Sequence, residues 1–365
     1  MSFSDWKKYK LSDVVEIKYG KDHKHLSIGE IPVYGSGGIM RFADKFLYDK
    51  ESILIPRKGT LSNLFYLNKP FWSVDTMFYT KIIEGNNGKF LYYLLKSIDL
   101  ASMNVGSAVP SLTTEILNKL EINLPNKTTQ TKITDILSSI DDKIELNHQT
   151  NQTLETIAQT LFKEMCLPKS EELPTGWSIE KLENLIDTVS VTHKMKQEEI
   201  IFLNTSDILE GNVLNNEYSV VSTLPGQAKK SIKRNDILFS EIRPANKRYA
   251  FVNFDADDYV VSTKLMVLRS KGINPYLIYC FLTNNDILKE LQHLAETRSG
   301  TFPQITFTQL KDFKLVIPDE TTLIKVSKNI QDIYENIFLN NKETQTLTVL
   351  RDSLLPKLMN GEIAL

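Results

Sequence analysis

The feature that most constrains this chain is an apolar helical seam with polar residues at its middle, and the seam occurs twice. From Ile133 a 3-4-3-4 step lands on Leu137, Ile140, Ile144, Asn147, Asn151, Leu154, Ala158, Leu161 and Met165. That is the a/d spacing of a helix that packs along its length against another. Shifted by 193 positions, IDDKIELNHQTNQTL (Ile140–Leu154) lies without gaps over IYENIFLNNKETQTL (Ile333–Leu347), identical at seven of fifteen positions. The second seam runs Val326, Ile330, Ile333, Ile337, Asn340, Thr344, Leu347, Arg351 and Leu354. Its polar pair, Asn340 and Thr344, falls under Asn147 and Asn151. Two unrelated amphipathic helices rarely agree on where to be polar, so the chain carries an internal duplication.

The same shift pairs Pro125 with Pro318, Thr128-Thr129 with Thr321-Thr322, and Pro110 with Pro303. Outside the helices the copies are looser. LPTGWSIEKLENLID (173–187) echoes SDWKKYKLSDVVE (4–16), with Trp177 over Trp6, and both tryptophans read as structural anchors. DILFSEIRP (236–244) echoes SILIPRKGT (52–60), and YVVSTKLMVL (259–268) echoes WSVDTMFYTK (72–81). The offset grows from 171 to 193, so the second variable region carries about 22 extra residues, as surface loops do when they drift.

The expected fold is α+β: two α/β domains separated by two long helices that form an antiparallel coiled coil, with a pseudo-two-fold internal duplication. The divisions fall at 1–108 and 169–302 for the α/β domains, and at 109–168 and 303–365 for the central and C-terminal helical spacers. Helices of this length extend roughly 50–60 Å at 1.5 Å per residue. One apolar seam that long needs a partner, and the nearest is its own duplicate. In an antiparallel pair the seam centres meet, so that Asn147 and Asn151 face Asn340 and Thr344. A polar layer there weakens the pairing but fixes its register; the alternative is that these side chains point to solvent.

Composition adds limits. A chain of 365 residues exceeds one ordinary core, so two or more domains are expected. No apolar run of about 18 residues occurs, and MSFSDWKKYK lacks the apolar core of a signal peptide, so no membrane association and a cytoplasmic location are expected. Only Cys166 and Cys280 are present, which excludes a disulfide framework and a four-Cys zinc site. The net charge of −2 decides nothing about nucleic acid, because a binder can focus its cations on one face.

This duplicated arrangement, carried by the helical repeats Pro125–Met165 and Pro318–Met359 and by the paired strand–loop segments, resembles the specificity subunit of type I restriction–modification systems. GSAVPSLT (106–113) and GTFPQIT (300–306), which close the two variable regions, look like that family's boundary. The resemblance implies that each α/β domain is a target-recognition domain reading one half of a split double-stranded DNA sequence. It also implies that the helices dock two methyltransferase (modification) subunits and, through them, two restriction subunits. S-adenosylmethionine would then be bound by the methyltransferase, with no cofactor and no metal in this chain. Other readings are a coiled-coil adaptor with two protein-binding α/β domains, and a reading module derived from a fused restriction–methylation enzyme.

The residues contain little sign of catalysis. YGSGG (Tyr34–Gly38) and INPYL (Ile273–Leu277) are the nearest strings to a methyltransferase's cofactor loop and base-holding motif, and the second reads better as a helix cap with a first-turn proline. Glu16–Lys18 lacks the proline–aspartate partner of a nuclease, and His23 and His25 read as a solvated loop. No phosphate-binding GxxxxGK[ST], GxSxG or HExxH string occurs. The chain is expected not to be an enzyme.

Residues 1–105 carry a net +4 and residues 169–298 a net −2, so cations concentrate in the first variable region, where phosphate contact wants them. Arg and Lys suit guanine O6/N7, and Asn suits adenine. The candidate DNA-binding residues are Lys24, Arg41, Arg57, Lys58 and Asn63 in the first region, and Lys230, Arg243, Asn246, Lys247 and Arg248 in the second. Arg57 and Arg243 form the preferred pair because they follow equivalent strands. Trp72, Phe78, Tyr92 and Tyr93 fit a core better than base-stacking platforms.

Overall fold

A computed structural model describes residues 6–104, 110–167, 172–298, 301–363 and 365. The expected divisions near 108 and 168, the Gly106–Val109 part of the first closing segment, and Gly300 of the second lie outside the described residues.

The chain forms two compact units, Met1–Leu146 with Glu343–Leu365, and Asn147–Lys342. Each unit therefore joins one α/β region to parts of both long helices, Lys127–Cys166 and Glu320–Met359, of 40 residues each. The helical stretches are components of the units rather than separate spacers.

In the first unit, strands Val15–Tyr19, Met77–Ile82, Ser52–Pro56 and Phe65–Leu67 make an antiparallel sheet in that order. A second sheet orders Gly38–Ala43, Ile31–Gly35 and Trp72–Ser73, the last two parallel. The other unit repeats the first sheet with Ile186–Val189, Leu265–Ser270, Ile237–Ser240 and Tyr249–Phe251. Its second sheet orders Tyr218–Val220, Glu199–Leu203, Tyr259–Ser262 and Ala228–Ser231.

The duplication holds at the level of register. Lys7 pairs with Leu124 and Lys10 with Glu121; 171 and 193 positions on, Ser178 pairs with Ile317 and Lys181 with Lys314. The Leu11 amide donates to the Leu120 carbonyl at 2.8 Å, and the Leu182 amide donates to the Phe313 carbonyl at 2.8 Å. Each long helix starts on a side-chain cap: Asn126 Oδ1 accepts from the Thr129 amide at 3.0 Å, and Asp319 Oδ1 accepts from the Thr322 amide at 3.1 Å. These caps satisfy amides that the first helical turn leaves without partners.

Each α/β region packs directly on helix. In the first unit Ile53, Ile55, Phe78 and Phe90 share a core with Leu137 and Leu358. In the second, Phe239, Phe251 and Phe281 share one with Phe162, Ile330 and Tyr334. Burying a side chain of this size contributes about 1.5–3 kcal/mol, so these contacts fix where each sheet sits on its helices.

Within each unit the two long helices run antiparallel. In the first, Arg351 pairs with Asp141 and Glu343 with Lys143, both at 3.0 Å. In the second, Asn147 Nδ2 donates to the Asn340 carbonyl at 3.5 Å, and Gln159 Nε2 donates to the Tyr334 hydroxyl at 3.5 Å. Asn147 is buried, which removes it from solvent. Asn151 Nδ2 donates to Asn341 Oδ1 at 2.7 Å, and Asn340 Nδ2 donates to Asn151 Oδ1 at 2.8 Å. Asn341 continues this chain of amides to Asn212 Oδ1 at 3.0 Å. Thr344 belongs to the first unit, where it is half-buried.

Several local expectations are met. Asn274 caps its helix by accepting from the Tyr276 amide, with Pro275 in the first turn. Trp72, Phe78 and Tyr93 are buried, and Trp6 lies against Phe90 with tilted rings whose centroids are 6.3 Å apart. Glu16–Lys18 lies on the edge strand of its sheet.

Candidate nucleic-acid interface

In the first unit the site grows from strand Ser52–Pro56, buried along its whole length. Beyond Pro56 the chain turns outward but stays anchored. The Arg57 amide donates to the Thr76 carbonyl at 2.8 Å, the Arg57 carbonyl accepts from the Leu112 amide at 3.0 Å, and the Gly59 amide donates to the Pro110 carbonyl at 3.3 Å. Gly59 has φ +91°, and a Cβ there would stand 3.0 Å from Ser36 Oγ. The loop therefore lies against the Ser36-Gly37 hairpin tip, and only glycine suits both the backbone and the approach.

The five candidate side chains of this unit divide. Lys24 and Lys58 are exposed. Arg57 is half-buried, its guanidinium 5.4 Å above the Tyr19 ring and 3.4 Å from the Asp75 carbonyl. Arg41 donates to the carbonyls of Leu26 and Ser27 at 2.7 and 3.3 Å. Asn63 Nδ2 donates to the Ser36 carbonyl at 2.9 Å, tying the loop to the hairpin tip. Arg41 and Asn63 thus position the loops with donors that sequence reasoning assigned to DNA bases.

The second unit divides the same way. Lys230 Nζ donates to the Thr263 and Leu265 carbonyls at 3.0 and 2.7 Å, and burial pushes its ammonium pKa below the ordinary lysine value. Arg248 donates to the Ser206 and Ile208 carbonyls at 2.9 and 3.0 Å. Lys247 pairs with Glu210 at 2.9 Å. Arg243 and Asn246 are exposed at the tip of the loop.

The backbone bonds also refine the pairing of the two loops. The Glu241 carbonyl accepts from the Ile305 amide at 2.8 Å, and the Arg243 amide donates to the Pro303 carbonyl at 3.2 Å. Pro303 and Ile305 are the duplicates of Pro110 and Leu112. Arg57 therefore corresponds to Glu241, and Gly59 to Arg243. The loops are equivalent, as expected, but their arginines stand two positions apart.

Sequence reasoning missed Tyr19 beneath Arg57, the Ser36-Gly37 tip beside the loop, and Asn341 within the amide chain. Alternation and spacing mark none of these, because each contact joins segments far apart in sequence. Among the described residues no group of three or more His, Cys, Asp or Glu side chains could hold a metal. No helix among them is long and apolar enough to cross a membrane.

Two copies of one scaffold, each presenting a loop with exposed cations after the same strand, define an internally duplicated recognition protein. The chain belongs to the type I restriction modification DNA specificity domain family, whose model matches residues 3–156 and again 174–349. It is 45% identical over 157 residues to the type I restriction enzyme HindI specificity subunit of Haemophilus influenzae, an alignment covering 42% of this chain and 34% of that relative. It is 26% identical to the MjaIX specificity subunit of Methanocaldococcus jannaschii, across 98% of this chain and 94% of the relative. The crystal structure of the S subunit of a type I restriction-modification system from M. genitalium superposes with a TM-score of 0.70 at 18% identity, covering 97% and 96% of the two chains. That likeness establishes the shared fold.

Proposed function

We propose that this chain is the DNA-reading subunit of a type I restriction–modification assembly. Each α/β domain, 1–108 and 169–302, reads one half of a split double-stranded target. The chain itself carries out no chemistry. It docks two methyltransferase subunits, which bind S-adenosylmethionine and methylate adenine N6, and through them two restriction subunits, in the cytoplasm.

The observation that carries this reading is the duplication itself, kept at the level of strand register and capping while the loops vary. A scaffold preserved so closely under divergent loops suits two readers of different sequence held in one frame. Half-sites roughly one helical turn apart (about 34 Å) present their major grooves on one face of the duplex, and bases between them go unread.

Docking of two copies of one partner is supported by a second repeat. At the 193-residue shift, exposed Leu146 duplicates exposed Leu339, and exposed Ile157 duplicates exposed Leu350. Isolated exposed apolar residues are common, but the same ones at both duplicated positions suit two equivalent binding surfaces.

A map of N6-methyladenine in cells with and without the gene, with the partner subunits expressed, tests the reading. Loss of one split motif on deletion is expected. An unchanged map in cells with active partners would refute it.

A further inference from the structure

Among the described residues five non-glycine residues have positive φ, and two of them are cations of one short loop, Arg243 at +43° and Lys247 at +53°. Side chains rarely adopt this left-handed conformation, because Cβ crowds the backbone. At the equivalent place in the other copy the chain uses Gly59, which meets the same demand without strain. Lys247 has a structural use for its side chain, the ion pair with Glu210. Arg243 is exposed, and its guanidinium makes no hydrogen bond or ion pair with any described residue.

The loop that carries Arg243 is nevertheless held firmly. The Arg243 amide is bonded to the Pro303 carbonyl, and the Ala245 amide to Gln292 Oε1 at 3.0 Å. The Asn246 amide closes onto the Arg243 carbonyl at 2.8 Å, and the Glu210 amide onto the Lys247 carbonyl at 2.9 Å. Pro244, buried behind it, fixes the next φ. A strained backbone, fully anchored, that aims a long cation without a partner into solvent is the arrangement expected where strain serves a ligand.

We infer that Arg243 is a specificity-determining residue of the second half-site, contacting a guanine through O6 and N7. This inference rests on the DNA-reading function proposed above. In the first half-site the same backbone position is Gly59 and has no side chain. Reading there shifts to its neighbours, exposed Lys58 foremost, so the two copies of one loop read their half-sites from staggered positions.

The test is the N6-methyladenine map of the complete assembly carrying Arg243→Gly, beside wild type and Arg243→Lys. Glycine relieves the backbone, so the melting temperature should not fall. Discrimination at one guanine of one half-site should drop about tenfold to hundredfold, with the other half-site and the gap unchanged. Lysine keeps the charge but loses the two-pronged geometry, so it should restore overall methylation without restoring that discrimination. An unchanged motif in Arg243→Gly, or a uniform loss at all sites, would overturn the inference while leaving the DNA-reading function standing. A wild-type map without any split motif would instead refute that function, and the inference with it.

Discussion

The same place in the two units is built from opposite chemistry. In the first unit, six residues after a helix-capping asparagine, the Tyr93 hydroxyl donates to Asp141 Oδ2 at 2.6 Å, and Arg351 closes on Asp141 Oδ1 at 3.0 Å. The duplicates of Tyr93, Asp141 and Arg351 are Cys280, Tyr334 and Ala158, all buried, with Cys280 Sγ 3.6 Å from the Ala158 carbonyl. Burial, and then the bond to Asp141, push the Tyr93 phenol well above its ordinary pKa, so it remains a donor. Burial likewise raises the Cys280 thiol, which stays neutral and acts as a small apolar filler. One backbone thus accepts either an ionic knot or a buried, uncharged cluster on its helical seam. This explains how an arginine came to stand at an a/d position of the second seam: it pairs with a charge instead of packing against a methyl group. The fold depends on the volume and satisfaction of the site rather than on its polarity.

The largest expected effect comes from copying half of one arrangement into the other. Tyr334→Asp places the first unit's carboxylate in the buried, uncharged cluster without its arginine, and should cost about 3–5 kcal/mol, read from urea denaturation. A loss below about 1 kcal/mol would mean that Gln159, Thr283 or water solvates the new carboxylate. Next, Arg351→Ala leaves Asp141 without its cation, and should cost about 2 kcal/mol because the pair is only partly shielded. Adding Tyr93→Cys and Asp141→Tyr converts the site to the second unit's set and should return part of that loss. A triple variant weaker than the single one would show that the two sites are not interchangeable.

Smaller effects distinguish the amide chain and the surface. A polar layer at the middle of an apolar seam sets register at a cost in stability, so Asn147→Leu with Asn340→Leu should raise stability by about 1 kcal/mol despite removing the 2.8 Å bond from Asn340 to Asn151. A lower unfolding midpoint would show that the amides stabilise the seam as well as marking it. Lys143→Ala breaks a pair whose side chains are both more than two-fifths exposed and should shift stability by less than about 0.5 kcal/mol.

Much of the scaffold was legible in the sequence because duplication compares the chain with itself. Agreement at Asn147 and Asn340, and at the shifts of 171 and 193, located the two long helices and the repeated order of variable region and helix, which single-segment propensity leaves uncertain. The strand pairs and the caps at Asn126 and Asp319 came from the structure. The cap at Asn274 and the buried Trp72 and Tyr93 followed from local pattern. The interface was less legible. Whether Lys230 faces water or the carbonyls of Thr263 and Leu265 depends on a strand more than thirty residues away. Arg41 and Arg248 are likewise half-buried on backbone carbonyls, and exposed Asn63 is tied to the Ser36 carbonyl; composition gives no sign of these contacts. The correspondence of Gly59 with Arg243 already lies in the ungapped overlay of SILIPRKGT on DILFSEIRP. Residue type drew attention to Arg57 and Arg243 instead, and the backbone bonds to Pro110 and Pro303 restore the aligned register.

The central claim is that two independent readers stand on one duplicated scaffold. Its most direct test is the N6-methyladenine map of the assembly carrying Arg57→Ala with Lys58→Ala. The account predicts that one half of the split motif relaxes while the other half and the gap between them stay as in wild type. Simultaneous relaxation of both halves, or an equal loss at every site, would contradict it.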